Sequence, residues 1–329
     1  MQGHVGVKRI YWKRAAILLA VGSLLQFPWA DAREQTGAQH AAPLRGAQDA
    51  PKRPRITGID RVRLYATDLD KSRDFYSKLI GVRAGGFLCS DTPHPCFTVG
   101  YRFQSLELEK APGAGTKNWI SCIVFATDDV SQMRRYLVAR GVTASEIHKD
   151  SYDKHTYAAH FDVRDPEGNP ISFIQRFSIA VDDFRPHVPI LHTGFVVKDI
   201  AAENRFYVDV LGFKLYWQGG MKDDGVDWYE LQVPDGENWI EYMLNVPATA
   251  DHKQLGAQNH FSFGVKEIQA AGEQLRKNGI EKVAGPGIGR DGKRGLNVYD
   301  PDDTRVEVTE FTPAREPCCH PYTAPHPTP

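Results

Sequence analysis

An excess of either charge is missing from this chain. Its 40 lysines and arginines stand against 41 aspartates and glutamates, for a formal net charge of −1 across 329 residues. That balance lacks the electrostatic footprint of a nucleic-acid binder. A membrane-spanning apolar run is missing too, since the candidate "AAILLAVGSLL" stops after 11 residues, short of the ~20 that a span needs. Cysteine is sparse, five in all: Cys89, Cys96, Cys122, Cys318 and Cys319.

The short apolar run has its own meaning. Lys8, Arg9, Lys13 and Arg14 precede it and Ala30-Asp31-Ala32 follows, the order of a secretory signal peptide with cleavage after Ala32. Residues 1–32 are expected to be removed, giving a secreted or periplasmic protein of charge near −4 with no membrane attachment. Residues 33–55 lack apolar periodicity and read as a flexible leader. The end, 314–329, is rich in proline, so no regular element is expected there. In an exported chain Cys89 and Cys96 are expected to be oxidised to each other, and Cys122, inside "WISCIVFA", to be a buried thiol. The Cys318-Cys319-His320 tail leaves two readings open, a soft-metal site and a disulfide on the surface.

Between leader and tail the chain repeats itself. "RVRLYATDLDKSRDFYSKLIGV" from 61 lies over "HTGFVVKDIAAENRFYVDVLGF" from 192, with Asp68/Asp199, Tyr76/Tyr207 and Gly81/Gly212 matched at an offset of 131. "ISCIVFATDDV" lies over "NHFSFGVKEI" at 138, and "VRDPEGNPISF" over "VYDPDDTRVEV" at 135, pairing Asp165 with Asp300. Each half divides again into a strand, an amphipathic helix and further strands, so four βαβββ units are expected.

These motifs, "HTGFVVKDIAAENRFYVDVLGFKL", "NHFSFGVKEI" and "YDPDDTRVEV", resemble those of the vicinal oxygen chelate superfamily, which includes glyoxalase I, extradiol dioxygenases and bleomycin-resistance proteins. The resemblance covers about residues 56–313. It implies an α+β fold in which paired βαβββ units curl into eight-stranded cups. The expected domains are 56–180 and 188–313.

A site for a divalent ion needs imidazole and carboxylate groups converging from separate strands. The second half offers His192, Glu241, His260 and Glu307, separated by 49, 19 and 47 residues. Each alone has a plainer reading as a surface or core residue. Together they match the glyoxalase I ligand pattern, whereas His192, His260 and Glu307 alone match the extradiol triad. One divalent ion, Fe, Mn, Ni or Zn, is the cofactor this implies. Glu307 and Glu241 are the candidate catalytic carboxylates. Over His192, His260 and Glu307 the first half has Arg61, Cys122 and Ser172, so it is expected to be metal-free, with Glu107 or Glu109 over Glu241.

The implied function is a metal-dependent enzyme that chelates vicinal oxygens of a small substrate, with glyoxalase- or epimerase-type enolate chemistry favoured. Two alternatives stand beside it, an Fe(II) extradiol dioxygenase and a ligand-sequestering protein. Extradiol enzymes carry a Tyr three residues before the Asp-Pro dipeptide, here Asn297, and an upstream His that "GIGRDGKRG" does not contain. Trp217, Trp228, Tyr229, Trp239 and Tyr242 are candidates to line a pocket or simply to pack strands. Substrate and oligomeric state are not legible.

Overall fold

A computed structural model describes residues 51–81, 83–85, 89, 94–100, 104–113, 115–151, 157–177 and 188–329. Residues 1–32, the expected signal peptide, and most of the expected leader lie outside the described residues. In the first half come β1 (Ile56–Ala66), α1 (Leu69–Ile80), β2 (Cys96–Val99), β3 (Gln104–Lys110), β4 (Ile120–Thr127), α2 (Val130–Val138), β5 (His148–Ser151), β6 (Tyr157–Arg164) and β7 (Pro170–Phe177). In the second half come β8 (Ile190–Val196), α3 (Ile200–Asn204), β9 (Lys214–Gly219), β10 (Trp228–Gln232), β11 (Trp239–Met243), α4 (His252–Gln258), β12 (His260–Val265), α5 (Ile268–Lys277), β13 (Ala284–Ile288), β14 (Arg294–Tyr299) and β15 (Arg305–Glu310).

The helices start and stop where local chemistry dictates. Asp68, Asp129 and Asp199 cap α1, α2 and α3 by accepting backbone N–H groups, and Glu267 does the same for α5. Gly81, Gly141, Gly212 and Gly279, the glycines matched in the repeat, all have φ between 80 and 89° just after their helices. Only glycine enters that left-handed conformation without steric cost. One helix departs from expectation. After α3 the chain continues as a π-helical segment, Arg205–Val210, where a regular helix was expected.

Each half forms one mixed sheet, ordered β2-β3-β1-β4-β7-β6-β5 and β13-β14-β15-β12-β8-β11-β10-β9. Both follow one plan: the first strands of the two units meet antiparallel at the centre, β1 on β4 and β8 on β12. The second sheet has eight strands; the first has seven among the described residues.

The halves share a single core, and polar contacts between them come in reciprocal pairs. Tyr76 donates its hydroxyl to Asp300 (2.9 Å), and Tyr207 donates to Asp165 (3.3 Å). Asp302 accepts from the Thr67 backbone N–H, while Glu167 accepts from those of Lys198 and Asp199. Phe125 against Phe213 (5.4 Å) and Tyr76 against Phe261 (6.3 Å) close the apolar part of the contact.

The tail has no regular element, as expected, but it is docked. Trp217 Nε1 donates to the His320 carbonyl, and Tyr322 packs at a tilt against Tyr216, ring centres 4.7 Å apart. Three contacts tie it to the loop before β14: Ala314 N–H to the Gly292 carbonyl, Cys318 N–H to that of Arg290, and Tyr322 hydroxyl to Asp291. Cys89 and Cys96 are bridged, Cys122 is a free buried thiol, and Cys318 is bridged to Cys319. Cys318 and Cys319 also form a group of three potential metal donors with Asp223, so both readings of the tail stand.

Candidate metal centre

The second-half cup brings its four donors together from four strands. His192 on β8, Glu241 on β11, His260 at the start of β12 and Glu307 on β15 point to one place. The two Nε2 atoms lie 3.1 Å apart. Glu241 Oε2 is 3.0 Å from His260 Nε2 and 3.6 Å from His192 Nε2, while Glu307 Oε2 is 3.4 Å from His192 and 4.0 Å from His260. An ion bonded at roughly 2.0–2.1 Å to each donor places adjacent donors about 3.0–3.4 Å apart and opposite ones about 4 Å apart. His192, Glu241 and His260 form a group of three convergent potential donors, which fits a divalent cation, and Glu307 lies against both imidazoles from β15.

Local structure prepares each ligand. His260 Nδ1 donates to the Gln258 carbonyl at 2.9 Å, which fixes the ring with Nε2 facing inward. Gly194 stands opposite His260 across the β8–β12 pair. A Cβ there would come 2.1 Å from His260 Cε1, so the imidazole occupies space that only a glycine leaves. His192 stacks on Trp239, its neighbour across β8–β11, at 4.8 Å. Arg305 donates to the second oxygen of Glu307.

Electrostatics at the site divide the carboxylates. Burial opposes charge on Glu307, yet Arg305, His260 and His192 together hold it well below the usual carboxylate range. Glu241 is also buried and is also lowered, through His260 and His192. Burial lowers the His192 imidazole. Glu230 on β10, the cross-strand partner of Glu241, is pushed well above the usual range because burial outweighs the help of Lys293.

The donors open onto a cavity of about 550 Å³. Trp217, Trp228 and Trp239 line it, whereas Tyr229 does not and Tyr242 is wholly buried against Phe195 and Tyr207. Asn297 lines it with an unpartnered Oδ1, opposite Glu307 across β14–β15. Sequence reasoning missed Glu230, Arg290, Asp291, Lys293 and Arg305, which also line it. The signal available was a concentration of charge in "GRDGKRG" between two strands.

Strand register shows what replaces the donors in the first half. Arg61 on β1 pairs with Ser105 as His192 pairs with Trp239, which puts Glu107, not Glu109, at the place of Glu241. Arg61 Nη1 contacts Glu107 Oε2 at 2.7 Å and Nε donates to Ser105 at 2.9 Å. Cys122 Sγ lies 3.5 Å from Ser172 Oγ, which donates to Asp162. Burial pushes the Cys122 thiol up to about 11. Among the described residues no group of three convergent metal donors occurs in the first half.

Known proteins resemble the chain in both sequence and fold. The model of the glyoxalase/bleomycin resistance protein/dioxygenase superfamily matches residues 58–173 and again 189–308. The chain is 32% identical over 124 residues to lactoylglutathione lyase of Haemophilus influenzae, a match covering 37% of this chain and 91% of the lyase. Among solved structures, a variant of homoprotocatechuate 2,3-dioxygenase from Brevibacterium fuscum aligns at TM-score 0.60 and 21% identity, over 84% of this chain and 75% of that one. The homoprotocatechuate 2,3-dioxygenase of Arthrobacter globiformis aligns at TM-score 0.59 and 18% identity, over 78% and 80%. At such identities the structural likeness concerns the fold alone.

Proposed function

The chain belongs to the glyoxalase/bleomycin resistance protein/dioxygenase superfamily, and from that premise we propose a metal-dependent enzyme acting on vicinal oxygens through an enolate. The observation that supports this reading most is the convergence of His192, Glu241 and His260 as three potential metal donors beside a cavity, with Glu307 Oε2 3.4 and 4.0 Å from the two imidazoles. His192, Glu241, His260 and Glu307 would hold one divalent ion in the domain 188–313, with the domain 56–180 metal-free. Bound there, the ion would supply Lewis-acid polarisation of two neighbouring substrate oxygens. Glu307 is held by Arg305 and is the fixed carboxylate. Glu241 contacts the two imidazoles and is the better placed to take a proton from one carbon and return it to the next.

A second reading, ring cleavage with Fe(II) and O₂, draws support from the resemblance in fold to homoprotocatechuate dioxygenases. Against it, Asn297 stands where such enzymes carry a tyrosine, and the loop at 287–295 brings arginine and lysine to the cavity but no histidine. We place the protein outside the cytoplasm, a reading supported by the signal-like N-terminus and the Cys89–Cys96 bridge.

Elemental analysis of anaerobically purified mature protein, followed by turnover assays, tests the proposal. One ion per chain with conversion of an α-keto aldehyde or α-hydroxy acid, and no O₂ uptake, is expected. O₂ consumption with catechols would establish the dioxygenase reading instead. Protein free of any metal would leave a sequestering role.

A further inference from the structure

Three cations line the cavity, and two of them are paired. Arg290 pairs with Asp223, and Arg305 with Glu307. The third, Lys293, is 1% exposed; the buried carboxyls of Glu230 and Asp291 feel its charge, but its Nζ has no hydrogen-bond partner. It rests instead on aromatic faces, 4.1 Å from Trp239, 5.1 Å from Tyr216 and 5.2 Å from Tyr322. Cation–π attraction holds the charge in place but uses none of its three N–H donors.

The place of this ammonium relative to the donors is set by one ring. Trp239 carries Lys293 on its face and stacks on His192, so the ammonium lies within about 9 Å of the His192 ring. The tail fixes it further: Tyr322 closes the aromatic enclosure, and the contacts of Ala314, Cys318 and Tyr322 hold the loop that delivers Lys293. A four-carbon stem lets the ammonium swing from the ring face to an anion entering the cavity.

We propose that Lys293 selects substrates carrying a compact anionic group, a carboxylate for instance, a few bonds from the chelating oxygens. This rests on the chelation reading above and adds a substrate class to it: a vicinal-oxygen acid in preference to a neutral aldehyde or diol. Lys293 is a specificity-determining residue in this view, and the tail is the strap that positions it.

Binding of two hydroxamates tests this without turnover. Acetohydroxamic acid and its analogue extended by a terminal carboxylate both chelate through two oxygens and differ in the anionic end. Calorimetry on full-length mature protein loaded with Zn(II) should show the carboxylated probe bound at least tenfold tighter. Lys293→Met should abolish that preference while leaving metal content and the affinity for acetohydroxamic acid within about twofold, and Lys293→Arg should keep part of the preference. Equal affinity of wild type for both probes, or a preference surviving in Lys293→Met, would overturn the role of Lys293 alone. Failure of the loaded wild type to bind either probe would overturn the chelation reading and this inference with it.

Discussion

The two halves of this molecule share one sheet plan and differ at three of four matched side chains that face the cup. Where the second half has His192, Glu241, His260 and Glu307, the first has Arg61, Glu107, Cys122 and Ser172. One position keeps its carboxylate, and there the arginine supplies a tethered cation at 2.7 Å. A buried acid that has no mobile ion to face needs a covalently attached positive charge, because an unpaired buried charge is strongly destabilising. The difference extends to the backbone. Gly194, which makes room for His260, corresponds to Arg63. Where cysteine replaces the imidazole, a long side chain fits.

The contrast yields its largest expected effect at His260. His260→Ala should lower metal affinity by more than the roughly 10–100-fold typical of residues outside the ligand shell, with the fold retained, as read by elemental analysis and circular dichroism. Arg61→Ala should do the opposite. Metal content stays at one per chain while stability falls by about 1–3 kcal/mol, measured by urea unfolding, because buried Glu107 loses its contact with Arg61 but keeps Arg63 Nε at 3.2 Å. Equal metal loss in both variants would break the comparison.

Gly194→Ala sharpens it. A methyl group 2.1 Å from the His260 ring must displace that ring, and metal affinity should fall at least ~10-fold, since the imidazole that would bind the ion is misplaced. The same test at Arg63, by Arg63→Ala, should leave metal content unchanged.

Smaller effects should be alike in the two halves. Burial pushes Asp165 and Asp300 each up to about 6, against the hydrogen bonds that favour their charged forms. A carboxyl whose folded value is raised binds more protons folded than unfolded, so stability is fully present below the unfolded value near 4 and is lost as pH rises through about 6. Each contributes a loss of about 3 kcal/mol across that window, and Asp300→Asn should flatten its share in urea melts at pH 4 and pH 7. Smallest of all, Tyr76→Phe and Tyr207→Phe should each cost about 1–2 kcal/mol. The larger loss is expected at Tyr76, whose bond is 2.9 Å against 3.3 Å.

Much of this was legible in sequence because it is carried by local or periodic signals. Capping aspartates, left-handed glycines after helices and alternation in strands each declare themselves within a few residues. The convergence of His192, Glu241 and His260 was legible through their place in a repeated pattern, although nothing local separates Glu107 from Glu109; that distinction is a matter of register. Lys293 and the tail were not legible. A lysine becomes an aromatic-bound, buried cation only when Trp239, Tyr216 and Tyr322, from distant parts of the chain, close around it. The π-helical segment at Arg205–Val210 likewise has the apolar spacing of an ordinary helix and reveals its extra residue per turn only in the hydrogen bonds.

The reciprocal tyrosine–aspartate contacts carry a consequence for how such a chain can diverge. A contact made twice in opposite directions is the arrangement of a two-fold homodimer, in which one patch docks on its own copy. Here both partners are on one polypeptide, so docking is intramolecular and proceeds at the high effective concentration a short connection provides. The interface therefore no longer depends on the two partners being identical. Tyr76 and Asp165 maintain the pairing from the first half, and its cup can exchange ligands for an internal ion pair without loosening the cup that keeps them. One half serves as a permanent subunit of the other.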